Sequence, residues 1–307
     1  MSAATAVSTG LTSGPGHRSI GARLAAFVAL TKPRIIELLL VTTLPTMFVA
    51  ARGLPSVSLM VATLIGGTLA AGGANAINMF VDRDIDAVMH RTATRPLVTG
   101  AVSPASALVF AISLELTAFV ELWTAVNLLS AVLAVSATLF YVFVYTLWLK
   151  RSSRQNIVIG GAAGAVPVLV GWAAVTGTVG LAPILLFALI FVWTPPHFWA
   201  LAIKYREDYA SVDVPMMPVV ATFERTAREI LAYSVLVVVV SAAFGWAAHM
   251  GPLYWVTAAT TGAAFVGFAI RLYRGRTERR AMALFHWSIS YVTLLFAAMA
   301  VDELVRH

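Results

Sequence analysis

The chain has 307 residues, 60% of them hydrophobic and 11% charged, with mean hydropathy +0.86. A soluble domain is about 45–50% apolar and about 25% charged. The composition therefore excludes a soluble enzyme, a disordered chain and a secreted scaffold, and points to a polytopic membrane protein. A formal charge of +7 would suggest nucleic acid in a soluble protein. Here the basic residues have first to be placed along the chain. With no cysteine, disulfides, thiolate metal sites and cysteine nucleophiles are excluded.

Residues 1–16 are dominated by Ser, Thr, Gly and Ala, contain no basic residue, and lead into no compact apolar run with a cleavage site, so no signal peptide is expected. Residues 1–30 read as a disordered cytoplasmic tail, and 31–307 as one all-α transmembrane domain. A bilayer-spanning helix needs about 20 mostly apolar residues. Nine stretches qualify: 35–51, 56–81, 104–123, 126–148, 156–176, 181–203, 229–249, 252–271 and 281–301. Of the 21 Lys and Arg, all but Arg52 and Arg306 fall before span one or after spans two, four, six and eight. The positive-inside rule then places the N-terminus in the cytoplasm and the C-terminus outside it, in the plasma membrane. Basic charge that alternates with topology leaves no nucleic-acid surface to explain.

Glycines recur inside two spans, as Gly66, Gly67, Gly72 and Gly73 and as Gly160, Gly161 and Gly164. Small residues let helices approach closely, and most of these read as packing positions. Span two ends in a polar turn, with Asn75, Asn78, Asp82, Asp84 and Asp86. Asn78, Asp82 and Asp86 are spaced i, i+4, i+8, which stacks them on one helix face about 6 Å apart. Asn75 lies one turn earlier on nearly the same face, and Asp84 points away toward solvent. Two aligned carboxylates and an amide oxygen repel unless something positive sits among them. Oxygen donors favour a hard cation, and Mg²⁺ takes a few carboxylates together with waters and substrate phosphate oxygens.

Arg91 and Arg95 follow four residues apart and suit anion oxygens. Lys150, Arg151 and Arg154 lie between spans four and five. Span six carries Pro195-Pro196 and His197 among Trp193, Phe198 and Trp199, then Lys204, Arg206, Glu207 and Asp208. The proline pair is expected to break or kink that helix inside the membrane. Asp208 reads as a contributor to a second metal site. A divalent cation and several basic groups at the edge of an apolar helical cavity suit an amphiphile with a diphosphate head and a hydrocarbon tail.

On these residues the sequence resembles the UbiA-type intramembrane aromatic prenyltransferases, and within them the heme-modifying branch. The resemblance rests on Thr31-Lys32-Pro33-Arg34, on Asn78-xxx-Asp82-xxx-Asp86, and on Arg91-Thr with Arg95-Pro-Leu. It continues through Lys150-Arg151 with Asn156, Pro195-Pro-His197-Phe-Trp, Asp208-Tyr209 and Pro215-Met-Met-Pro218. It covers roughly residues 30 to 220, and the last three spans match mainly in hydropathy. The resemblance implies a nine-helix bundle around a central cavity open to the cytoplasmic face. It implies Mg²⁺-assisted ionisation of farnesyl diphosphate, addition of the farnesyl cation to a vinyl group of protoheme IX, and capture by water to give heme O. Asn78, Asp82 and Asp86 would hold Mg²⁺-diphosphate, assisted by Asp208. Arg91, Arg95, Lys150, Arg151 and Lys204 would neutralise diphosphate or heme propionates. Asn75 and His197 would serve the heme side, with His197 able to approach the iron, and a heme A synthase is a candidate partner. The wider superfamily shows a fuller second acidic motif, so one well-formed metal site and a looser second are expected. Two alternatives stand. A sister enzyme acting on an aromatic acid or quinone precursor would have no use for His197 and its aromatic neighbours. An organic-anion secondary transporter would place its charges nearer the midplane.

Overall fold

A computed structural model describes residues 19–306, which are helical throughout their regular structure, with no strand among them. The first helix, α1 (Ile20–Leu30), falls in the stretch expected to be disordered. The Ser19 hydroxyl caps it by accepting from Ala22 N, Leu30 is fully buried, and Phe27 meets Phe110 edge-on at 5.1 Å. Capping and contact with the bundle supply order that the polar composition upstream does not indicate. The remainder of the expected tail, residues 1–18, lies outside the described residues.

The chain continues as α2 (Pro33–Ala51), α3 (Val57–Val81), α4 (Arg83–Val88), a 3-10 turn at His90–Thr92, α5 (Pro104–Ala125) and α6 (Leu128–Leu139). A wide π-helical segment, Phe140–Leu149, runs into α7 (Lys150–Ser152). Next come α8 (Asn156–Thr176), α9 (Leu181–Lys204), α10 (Arg206–Ala210), α11 (Met217–Val220), α12 (Phe223–Ala247), α13 (Pro252–Gly275) and α14 (Glu278–Arg306). Side chains of Ser56, Ser103, Asn127 and Thr222 accept first-turn amides at the starts of α3, α5, α6 and α12. These caps satisfy donors that a helix cannot satisfy internally.

Among the described residues, eight helices are long and apolar enough to cross a membrane, Leu128–Ser152 counting as one. The first expected span corresponds to α2, whose 19 residues include the shorter apolar stretch Leu40–Ala51. The protein is thus an all-helical, multi-pass membrane protein. Residues such as Val109 and Leu116 on α5 stay exposed, as expected of a face solvated by lipid.

Helix α3 lies along α5, α2 along α8, and α8 along α9. Helices α12, α13 and α14 neighbour one another, and α12 and α14 close on α9. The aromatic core of that second half includes Trp199, Phe244, Tyr254, Phe265, Tyr291 and Phe296, all essentially inaccessible. Asp302 of α14 caps α13 from outside, accepting from Gly251 N, from Leu253 N at 3.1 Å and from Tyr254 N at 3.4 Å. Of the expected break or kink, the break does not occur: helix α9 is continuous through Pro195 and Pro196. The prolines remove two donors, but both rings are buried among neighbouring helices, and a membrane bundle tolerates the lost bonds where no water competes for the remainder.

Candidate active site

The acidic face forms at the end of α3. Helix α3 stops at Asp82, yet Asp82 N bonds Asn78 O and Asp86 N bonds Asp82 O, each at 2.9 Å. The helical spacing therefore carries across the junction into α4 and keeps Asn78, Asp82 and Asp86 in line. All three are buried, Asp82 completely. The Thr92 hydroxyl donates to Asp86 O at 2.8 Å and folds the following loop back over α4.

Four basic side chains meet this face. Lys150 and Arg95 pair closely with Asp82 Oδ2 and Asp86 Oδ2 respectively. Arg151 lies 3.7 Å from Asp82 Oδ1 and grips Asp84 with two bonds of 2.7 Å. Lys32 Nζ donates to Asn78 Oδ1 at 2.7 Å, and Asn78 Nδ2 donates to Asp82 Oδ2 at 2.7 Å and to Thr146 Oγ1 at 3.2 Å. Asp84 is exposed, as its spacing indicated, but it engages Arg151 rather than water alone. The Arg151 guanidinium holds the Asp84 carboxyl down to about 2.

Lys32 was not singled out as a site residue from the sequence. Burial, reinforced by Arg95 and Lys150 and opposed by Asp82 and Asp86, lowers its ammonium from 10.5 to about 7. Its backbone is left-handed, at φ 53° and ψ 64°, directly before Pro33. A residue preceding proline favours extended backbone, so the surroundings hold this conformation. Asn75 helps by donating to Thr31 O at 3.0 Å. The sequence signal was a lysine immediately before the proline that opens a membrane helix.

The π-helical segment adds Tyr141, Tyr145 and Thr146, which were not expected as site residues, to the expected Lys150. Its wider turn brings Tyr141, Tyr145, Thr146 and then Lys150 toward α3, and Thr146 Oγ1 bonds back to Tyr141 O at 2.8 Å. Such wide turns recur at functional sites. Tyr141 and Tyr145 stack with ring centres 5.4 Å apart. Both line a cavity of about 300 Å³ that starts beside Asn75 and runs among α2, α3, α6, α8 and α9. Its walls are mostly Ala, Gly and Thr, with Thr63 and Val170 among the residues farthest along α3 and α8.

The remaining expected residues divide. Arg91 stands over the rings of Tyr205 and Tyr209, with its guanidinium carbon 5.4 and 5.5 Å from their centres, and its backbone amide donates to Asp208 Oδ2 at 3.2 Å. Asp208 thus anchors the Arg91 turn. No group of three or more His, Cys, Asp or Glu side chains suited to a metal occurs among the described residues. Lys204 is exposed beside Tyr205. His197 faces away from the cavity, which α9 lines with Thr194 and Phe198. It lies between the rings of Trp193 and Phe285, with centroids at 4.2 and 4.7 Å, and its Nδ1 is 2.7 Å from Ser288 Oγ. Ser288 spends its hydrogen on Phe285 O at 2.6 Å. Nδ1 therefore carries the imidazole proton, and Nε2 keeps the lone pair.

The donor set suits a hard divalent cation held together with a substrate. Asp82 Oδ1 and Asp86 Oδ1 are buried carboxylate oxygens with no hydrogen-bond partner. Such atoms are costly unless something satisfies them. Two carboxylates and an amide are too few for a closed protein cage, but Mg²⁺ commonly uses one or two carboxylates and completes its shell from phosphate and water.

The fold and site define a helical membrane protein with a buried, cation-ringed acidic face one turn from the Asn75 end of a largely apolar cavity. The UbiA prenyltransferase family signature matches residues 39–290, and the chain belongs to that family. A Streptomyces coelicolor protein named protoheme IX farnesyltransferase is 52% identical over 303 residues, covering 97% of this chain and 96% of that one. A Frankia alni protein of the same name is 54% identical over 290 residues, covering 93% and 100%. In fold, the chain is similar to a digeranylgeranylglyceryl phosphate synthase, with TM-score 0.77 at 16% identity over 92% of this chain and 99% of the other. It is also similar to a UbiA homologue from Archaeoglobus fulgidus bound to GPP and Mg²⁺, with TM-score 0.63 at 16% identity, covering 89% and 99%.

Proposed function

We infer that this protein transfers the farnesyl group of farnesyl diphosphate to a vinyl group of protoheme IX, with addition of water, to give heme O and diphosphate. The observation that carries the reading is the joining of a buried, cation-ringed acidic face to an apolar cavity, in a chain whose relatives of similar length and more than half identity bear that activity in their names.

Asn78, Asp82 and Asp86 are the residues that would hold Mg²⁺ with the diphosphate. The cation, when bound, supplies positive charge that lowers the cost of diphosphate departure. The protein's own part follows from its geometry. Lys32, Lys150, Arg95 and Arg151 ring the acidic face, where they neutralise the diphosphate and stabilise negative charge as the C1–O bond breaks. The cavity takes the prenyl chain. Tyr141 and Tyr145 offer ring faces at its mouth, where an allylic cation forms beside Asn75, and ring faces attract cations. The apolar walls keep water from capturing that cation before the vinyl group does.

The new carbon–carbon bond leaves positive charge on the porphyrin-side carbon, and water addition with loss of a proton ends the reaction. Arg91, cradled by Tyr205 and Tyr209 and tied to Asp208, and the exposed Lys204 form a second cationic edge for heme propionates. His197, stacked between Trp193 and Phe285 and bonded to Ser288 of α14, is assigned to the heme side on the resemblance of its Pro-Pro-His-Phe-Trp segment alone. In this reading the nine helices α2, α3, α5, α6 through α7, α8, α9, α12, α13 and α14 span the plasma membrane. The site opens to the cytoplasm, and a heme A synthase is the partner that consumes the product.

The test uses membranes carrying the protein, supplied with Mg²⁺, farnesyl diphosphate and either protoheme or 4-hydroxybenzoate. A farnesylated heme with the first acceptor and no product with the second is expected. Prenylated hydroxybenzoate without farnesylated heme overturns the assignment.

A further inference from the structure

The glycines of α3 and α8 fall into two groups. A methyl at Gly66 would strike Glu121 and Leu122 at 2.2–2.6 Å, one at Gly73 would meet Glu115 at 2.6 Å, and one at Gly160 would meet Tyr145 at 2.3 Å. At Gly72 and Gly161 it would press on Thr31 and Thr194 at 3.2 and 3.0 Å. Gly171, where a Cβ would meet Thr43 O at 2.8 Å, makes a sixth position at which helices or rings close on the backbone. Gly67 and Gly164 differ. A Cβ at either meets nothing within 4 Å, and both residues line the cavity. Neither has a left-handed backbone that would require glycine. Their missing side chains are cavity volume.

Their depth matters. At 1.5 Å per residue, Gly67 lies about 16 Å along α3 from Asn78, and Gly164 about 12 Å along α8 from Asn156. The diphosphate end of the cavity is at Asn75 and the tyrosines, so Gly67 borders its far half and Gly164 stands at the entrance to that half. A side chain at either position occupies space that only the distal part of a prenyl chain reaches.

We propose that Gly67 and Gly164 set the length of prenyl chain this enzyme accepts, keeping open the far half of the cavity for the last isoprene unit of a farnesyl group. The proposal rests on the prenyl-transfer reading above. Leucine at either position shortens the usable cavity from the far end and leaves the acidic face, the tyrosines and the heme side untouched. It also replaces glycine by a better helix former. The shorter geranyl group then still fits, while farnesyl does not.

The experiment compares kcat/KM for farnesyl and geranyl diphosphate, with protoheme and Mg²⁺, in the wild type and in Gly67→Leu, Gly164→Leu and Gly267→Leu. Gly267 on α13 likewise has open space around it but lies outside the cavity. A single methylene in an apolar pocket changes discrimination by about 10–200-fold. The farnesyl-to-geranyl ratio should therefore fall by about 100-fold in the two cavity variants and stay unchanged in Gly267→Leu. Gly67→Ala and Gly164→Ala, where the added methyl meets no neighbour, should lower it by a smaller factor and decide the matter if a leucine variant does not fold. A ratio unchanged in the folded cavity variants, or falling as much in Gly267→Leu, overturns the proposal. Failure of the wild type itself to prenylate heme is a different result and overturns the reading beneath it.

Discussion

The Asp82–Lys150 pair separates what the site does for stability from what it does for chemistry. Asp82 is fully buried, and Lys150 is nearly so. They are joined by a close ion pair, to which Asn78 adds a 2.7 Å bond. Replacing Lys150 by methionine keeps the volume of the chain but leaves a buried carboxylate with only the Asn78 amide and a more distant Arg151. Breaking a buried pair from one side costs about 3–5 kcal/mol, whereas replacing both partners by apolar groups is often neutral. In a thermal-inactivation series of the purified protein, Lys150→Met should be the least stable variant. The double variant Asp82→Leu with Lys150→Met should regain most of the lost stability. Turnover should not follow. Loss of one preorganised charge at the departing group costs about 10²–10³ in kcat, so both variants should remain nearly inactive. Equal stability of Lys150→Met and wild type, or recovery of turnover in the double variant, would refute the pairing as drawn.

Other expectations follow from single contacts. Lys32→Gly and Lys32→Met should both raise KM for farnesyl diphosphate. Lys32→Gly should be the more stable by about 1 kcal/mol, because glycine takes φ 53° without strain, which thermal melting of the two proteins checks. Arg95→Met should destabilise the fold by stranding buried Asp86, while Arg91→Met, on a half-open edge, should change substrate KM with little change in melting temperature. Asp302→Ala removes the acceptor of the first α13 amides and should cost about 1–2 kcal/mol of stability, with kcat and KM unaltered at the distant site.

The sequence made much of this legible, and the shortfalls have physical causes. Long apolar runs announce membrane helices because lipid leaves few other backbone solutions, and the i, i+4, i+8 spacing announced the acidic face because helical geometry fixes it. The acids' partners were harder to read. The pattern of Arg and Lys in loops is the same whether a residue orients the protein or enters the site, and only the fold brings Lys150 onto Asp82 while leaving Lys204 exposed. Lys32 reaches Asn78 across 46 positions through a strained backbone that no local preference favours. The π-helical run Phe140–Leu149 was indistinguishable from ordinary helix by hydropathy. Pro195-Pro196 looked like a break or a kink because propensity rules describe helices in water, and the turn of His197 toward Ser288 was not legible because it depends on a helix 91 residues away.

The most direct test is mass spectrometry of heme extracted after purified protein is incubated with protoheme, farnesyl diphosphate and Mg²⁺, with released diphosphate measured in parallel. Heme bearing one hydroxyethylfarnesyl group, formed in equal amount to diphosphate and lost in Asp82→Ala, is the predicted result. Unmodified heme from folded wild-type protein, or undiminished product from Asp82→Ala, would contradict the account.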